Sequence, residues 1–272
     1  MGIEGAATPS PYPSPRGGEG TRRDTGASSS PLPPPGGGAG GEGVSPHALT
    51  RLLAWLSPSF PTGAFAYSHA LEAAVDAGRI RTAADLAAWV GHVVAHGAGR
   101  TDGMLFAAVW RAVTAGDRDA FLWGAERADA MRATAELALE SRAQGSAFLD
   151  TVAAAWPDPR LDPWRALLAE ADRPPAHAVA VATASAVAGV PLVPALAAFL
   201  HAVAANLVSA GVRLVPLGQT DGQRALAALE PVVLDAAARI PDMSLDDLGG
   251  AAPMVDLLSM VHETQYTRLF RS

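Results

Sequence analysis

The sequence predicts an all-α fold, on three observations. From residue 45 to residue 272 nearly every segment places apolar residues at the i, i+3, i+4, i+7 spacing of one helix face. No convincing two-residue alternation appears; Ala178 to Val187 comes nearest, and it has no second strand to pair with. No repeat of fixed period points to a solenoid. The expected architecture is a single bundle-like domain of about ten helices over residues 45–272, behind an extension over residues 1–44. That extension holds 12 of the 27 glycines and 8 of the 22 prolines. It lacks the apolar run of a signal peptide and has too little apolar surface to offset the entropy of ordering, so disorder is expected there. It reads as a dispensable extension, with a proline-rich ligand as the functional alternative.

The helices follow in order. His47 to Ser57 carries Leu49, Leu52, Leu53 and Leu56 on one face, and Ser57-Pro58 stops it. After a loop over Phe60 to Ala64, a second helix is expected from about Phe65 to Ala77, with Ser68, Glu72 and Asp76 along its polar side. Thr82 with Asp85 makes a near capping box for the third helix, which ends near Gly97. Thr101 is expected to cap a fourth, ended by Gly116, and Asp117 to Met131 forms a fifth. Glu136 to Trp156 is a long helix interrupted by Gly145, and Trp164 to Ala171 a short one. Pro174 to Val212 carries no charge, yet 14 of its 39 residues are alanine and Gly189, Pro191 and Pro194 cut it. It reads as two closely packed central helices rather than membrane spans. Thr220 to Gln223 has a capping-box pattern ahead of a helix that Pro231 should kink. A last helix starts near Pro253, and a polar tail follows from His262.

Composition removes several function classes. The formal net charge of −7 argues against a general nucleic-acid binder. All 20 basic residues are arginine, so Schiff-base and Walker-type lysine chemistry is excluded. There is no cysteine, hence no disulfide, thiolate nucleophile or thiolate metal site.

The remaining candidates are weak. His92 and His96 have the i, i+4 spacing of a two-histidine metal site, with Asp102 as a possible third ligand, but Val93 stands where a metalloprotease helix needs glutamate. Two partly exposed histidines are the plainer reading. His262-Glu263 has no second histidine four residues on. Ser68 and His69 are neighbours near Glu72, but adjacent helical side chains point about 100° apart, which does not suit a triad. Gly218 to Gly222 could hold an anion at a helix start, yet the loop contains no basic residue. Glu136, Glu140, Arg142 and Gln144 read as a solvated face. The tail alternates arginine with apolar residues around Leu269-Phe270, a composition suited to docking. No catalytic machinery is visible, and the dense aromatic stretch Leu56 to Glu72 (LSPSFPTGAFAYSHALE) is the main candidate surface.

That stretch also carries a resemblance. Ser57 to Glu72 is similar to the signature of the urease accessory protein UreF family. Three later blocks agree in order: Ser141-Arg142-Ala143-Gln144-Gly145, then Arg213 to Gln223 (RLVPLGQTDGQ), then Glu263 to Ser272 (ETQYTRLFRS). The resemblance spans about residues 47–272. It implies an all-α, non-catalytic maturation factor in the cytoplasm. The implied partners are UreD (also called UreH), the GTPase UreG and apo-urease, with a homodimer inside the complex. Nickel would be handled by that assembly, with no cofactor held stably by this chain. The implied partner-binding residues are Phe65, Tyr67, Ser68 and Glu72 near an internal or UreG-facing groove, Gln219 close to it, and Tyr266, Arg268 and Arg271 in the tail. The tail arginines are expected to fold back on the aromatic loop through its backbone carbonyls. The alternative is a direct nickel carrier using His92 and His96.

Overall fold

The computed structural model describes residues 43–272, so the disorder and the proline-rich ligand expected over residues 1–44 lie outside the described residues but for the last two positions. Among the described residues there are eleven α-helices, three short 3-10 helices and no strand. They are α1 (Pro46–Trp55), α2 (Leu71–Asp76), α3 (Ala83–His96), α4 (Ala98–Ala115), α5 (Arg118–Ala130) and α6 (Ala135–Ala155). The second half holds α7 (Asp162–Glu170), α8 (His177–Val187), α9 (Leu192–Leu214), α10 (Gln219–Arg239) and α11 (Pro253–His262).

The helix ends follow local chemistry. Ser45 caps α1, its hydroxyl oxygen accepting from the Ala48 amide at 3.1 Å. Thr82 and Asp85 complete the reciprocal box at α3. Two caps differ from expectation. The fourth helix starts three residues before Thr101, which is buried inside it. At α10 the N-cap is Gly218, whose amide donates to the Asp221 carboxylate at 3.3 Å. Asp221 thus already supplies a negative charge at that helix start.

At the centre lies α8, packed against α4, α6 and α9. Nine of its 11 residues are buried, all alanine, valine, threonine or serine. Small side chains let the neighbouring helices approach closely. By length and composition α9 could cross a membrane. Here it is a packing element against α3, α4, α8 and α10, with one side buried. On α1 the inward face is Ala48, Leu52 and Trp55, while Leu49 and Leu53 are exposed. Trp55 outranks the leucines for the core because its ring packs edge-on against both Phe148 and Trp156.

Nor is α6 interrupted at Gly145. A Cβ there would lie 2.1 Å from the Pro175 carbonyl oxygen, so the glycine lets the strand-like approach to α8 cross the α6 backbone. Four residues earlier, the Ser141 hydroxyl accepts from the His177 amide at 3.3 Å. Together these two positions seat the start of α8.

Candidate functional site

The expected helix over Phe65 to Ala77 is two pieces. Gly63 takes a left-handed conformation at φ 74°, a 3-10 turn covers Ala64–Ala66, and α2 begins only at Leu71. Between them His69 (φ 54°) and Ala70 (φ 64°) are both left-handed, which costs a non-glycine residue roughly 1 kcal/mol each. Long-range contacts hold that kink. The main-chain oxygen of Ser272 accepts from the Ser68 amide at 3.0 Å and also from the Ser68 hydroxyl. Ser68 therefore faces the tail and not His69, and the triad reading has no geometry behind it.

The tail runs back across α2 and α6. Its organising group is Glu72, buried in the first turn of α2. The carboxylate accepts from the Leu269 amide at 2.7 Å and the Phe270 amide at 2.9 Å. His262, fully buried, places Nε2 3.2 Å from Glu72 and Nδ1 2.6 Å from Glu136. Arg268 donates to the other oxygen of Glu136. One turn further along α6, Glu140 accepts from the Ser272 hydroxyl at 2.6 Å and lies 3.5 Å from His69 Nδ1. Burial pushes the Glu140 carboxyl up, but the hydrogen bonds and charge of His69 and the Ser272 hydroxyl outweigh it and hold the group below its ordinary value. Gln144 steadies Glu140 through a 3.2 Å bond. Gln265 donates to Asp76 at 2.6 Å, and the Arg271 amide to the Ala66 carbonyl at 2.9 Å.

The expected fold-back of the tail is present, with different chemistry. Arg268 finds a carboxylate, and the Arg271 contact is made by its backbone. The arginine on a loop carbonyl is Arg213 of α9, which donates to the Phe65 carbonyl at 2.8 Å. Its guanidinium lies 3.8 Å from the Phe65 ring centre and 4.4 Å from that of Phe270. One cation thereby clamps loop and tail together. Glu136 and Glu140 are not a solvated face; the tail covers them. Arg142 alone of that group is outside, paired with Asp129 at 2.5 Å. Arg213, His262 and Gln265 are legible only as members of the blocks or as isolated polar residues, and Glu136 and Glu140 only as part of a polar helix face. Nothing local announces partners more than 100 residues away.

Of the named site residues, Tyr67, Ser68 and Glu72 are buried, while Phe65, Gln219, Tyr266, Arg268 and Arg271 are exposed. Phe65 and Gln219 border a cleft of about 640 Å3, which also reaches His69, Asp102, Arg132, Glu140 and His177. Asp102 is engaged there by Arg132, at 2.5 and 3.2 Å, and so does not join His92 and His96 as a ligand. Among the described residues no group of three metal-ligating side chains occurs.

His177 faces this cleft between Phe148 and Phe199, at ring-centre distances of 6.0 and 5.5 Å. Burial pushes its imidazole down to about 4, against the opposing charges of Asp102 and Glu140. The unfolded chain then binds a proton below its ordinary value near 6.5 that the folded chain refuses until about 4. Stability should be full above that upper value and fall as pH drops toward 4, by about 3 kcal/mol from this one group. Urea denaturation at pH 7.5 and 5 should show a smaller acid loss in His177→Phe than in the parent.

A family model for UreF matches residues 80–230. A urease accessory protein UreF from Rhodopseudomonas palustris is 52% identical over 225 residues, covering 83% of this chain and 94% of that protein. The chain belongs to the UreF family. Its counterpart from Xanthobacter autotrophicus is 51% identical over 234 residues, covering 86% of this chain and 95% of the relative. That from Granulibacter bethesdensis is 52% identical over 225 residues, with 83% and 94% covered. The resemblance read from four sequence blocks thus extends over most of the chain.

Proposed function

We propose that this chain is a non-catalytic scaffold of urease maturation in the cytoplasm. It docks a UreD-type protein and the GTPase UreG, tunes that GTPase, and supports nickel insertion into apo-urease as a homodimer within the assembly. Nickel is cargo in this reading, not a resident cofactor. Family membership supplies the setting. The observation that carries the docking role is the state of the tail: its backbone is tied down on Glu72 while Tyr266 is 103% exposed and Leu269 67% exposed. Met254, Leu257, Met260 and Val261 on the preceding helix are also exposed. Large apolar side chains held outward on a braced backbone suit a partner surface, since their ordering cost is already met.

Roles divide accordingly. Tyr67, Ser68 and Glu72 act as the internal brace. Phe65, Gln219, Tyr266, Arg268 and Arg271 face partners. Tyr266→Ala combined with Leu269→Ala should leave the melting temperature within about 1–2 °C of the parent, because exposed side chains contribute little to the fold. The same pair should abolish co-purification of a UreD-type protein or of UreG on co-expression. Undiminished recovery of both partners would refute the docking role.

A further inference from the structure

His262 ends α11 fully buried, its ring wedged between carboxylates from two other helices. Nδ1 lies 2.6 Å from Glu136 of α6, and Nε2 lies 3.2 Å from Glu72 of α2. Each contact joins a ring nitrogen to a carboxylate oxygen, and each needs a hydrogen between the two atoms. A neutral imidazole carries one ring hydrogen, and an ionised carboxylate carries none. With all three groups in those states, one contact would set lone pair against lone pair, shut away from water. The geometry therefore calls for one proton more than a neutral ring and two carboxylates supply.

The other bonds say where that proton sits. Besides the ring, Glu72 accepts from the Leu269 and Phe270 amides, and Glu136 accepts from Arg268. Such donors favour the ionised carboxylate. Imidazole is also ordinarily the more basic of the two groups. The proton belongs on the ring, as imidazolium. The charges then balance: two carboxylates meet one imidazolium and the Arg268 guanidinium. A buried cluster needs that pairing, because an uncompensated charge is costly out of water.

The neighbouring ionisable groups are engaged elsewhere. Glu140 faces His69 and the Ser272 hydroxyl, Glu263 accepts from the Ala135 amide at 3.1 Å, and Asp76 accepts from Gln265. None of them bonds to the His262 ring. Within one turn of His262, the buried hydroxyls of Ser259 and Thr134 pair at 2.7 Å and fasten α11 to the start of α6. The ring is thus held against Glu136 by the packing of two helices.

We propose that His262 is an imidazolium in the folded chain and that its extra proton latches the tail. Loss of that proton would leave Glu72 and Glu136 facing each other across a neutral ring and loosen the segment seated on Glu72. In the unfolded chain the ring is exposed and is neutral above its ordinary value of about 6.5. Folding above that pH then takes up a proton, so stability falls as pH rises. The latch needs no partner and stands whether or not the tail docks one.

Nitrogen-15 NMR of the full chain at pH 7.5 reads the charge directly. Both His262 ring nitrogens should carry hydrogen, and one bare nitrogen overturns the proposal. Urea denaturation at pH 7.5 and 8.5 reads the linkage. The folding equilibrium of the parent should fall about tenfold more across that interval than that of His262→Gln, the effect of one proton over one pH unit. Glu136→Gln keeps the shape and can offer an amide hydrogen to Nδ1, so it removes the need for the second proton and should show the smaller fall too. Equal falls in the parent and the variants overturn the latch. The ring spectrum of the parent decides the matter if His262→Gln does not fold.

Discussion

Glu72→Ala should lower the stability of the chain by about 3 kcal/mol. The substitution removes the acceptor for two tail amides, those of Leu269 and Phe270, and one of two carboxylates facing the buried His262. The cost lies less in lost attraction than in what remains: a buried Phe270 amide and a part-buried Leu269 amide with nothing in the protein to receive them. In a chain of this size that corresponds to a fall in melting temperature of roughly 6–12 °C. Glu72→Gln separates shape from charge. It keeps the volume and one acceptor but turns an NH2 group toward backbone donors, so it should lose most of the same stability. Thermal unfolding by circular dichroism reads both. A melting temperature within 2 °C of the parent for Glu72→Ala would mean that the carboxylate does not hold the tail.

Gly145→Ala should be of similar size for a different reason. The added methyl would meet the Pro175 carbonyl oxygen at 2.1 Å, and the Ala176 carbonyl carbon and His177 amide nitrogen at 2.7 and 2.8 Å. All three are backbone atoms, so no side chain can rotate away. Helix α8 must shift, at a cost of about 3 kcal/mol. The shift would also move His177 in the cleft and loosen the Ser141 bond that caps α8. Urea midpoints measure the loss. An unchanged midpoint would show that α6 and α8 do not cross this closely.

These two positions show how far the sequence could be read. Gly145 reads from periodicity as a flaw in a helix, although the helix runs straight through it. The reason for a glycine is a carbonyl 30 residues away, which no local pattern contains. Glu136 and Glu140 read as a solvated face, and Glu72 as one of a polar helix side. Their burial depends on a tail that returns over them, and the amphipathic spacing of α6 looks the same whether water or another chain segment covers that face. The break at His69 and Ala70 has the same origin. Neither residue favours a left-handed backbone, and the bonds from Ser68 to Ser272 impose it. By contrast, the Thr82 cap, the small-residue core of α8 and the succession of helices are readable, because each depends on neighbours within a few residues. The family blocks pointed to the right stretches without saying why they belong together. The structure supplies that reason: α2, α6 and the tail meet around three carboxylates, and Arg213 clamps the loop to the tail through Phe65 and Phe270.

The central claim is that the tail is held by Glu72 and so presents its apolar side chains outward. Amide hydrogen exchange at Leu269 and Phe270, compared between the parent chain and Glu72→Gln, tests it most directly. The expected result is slow exchange in the parent and exchange at least tenfold faster in the variant, since the loss of about 1.4 kcal/mol already changes an opening equilibrium by that factor. Equal exchange rates at both amides in the two proteins would contradict it.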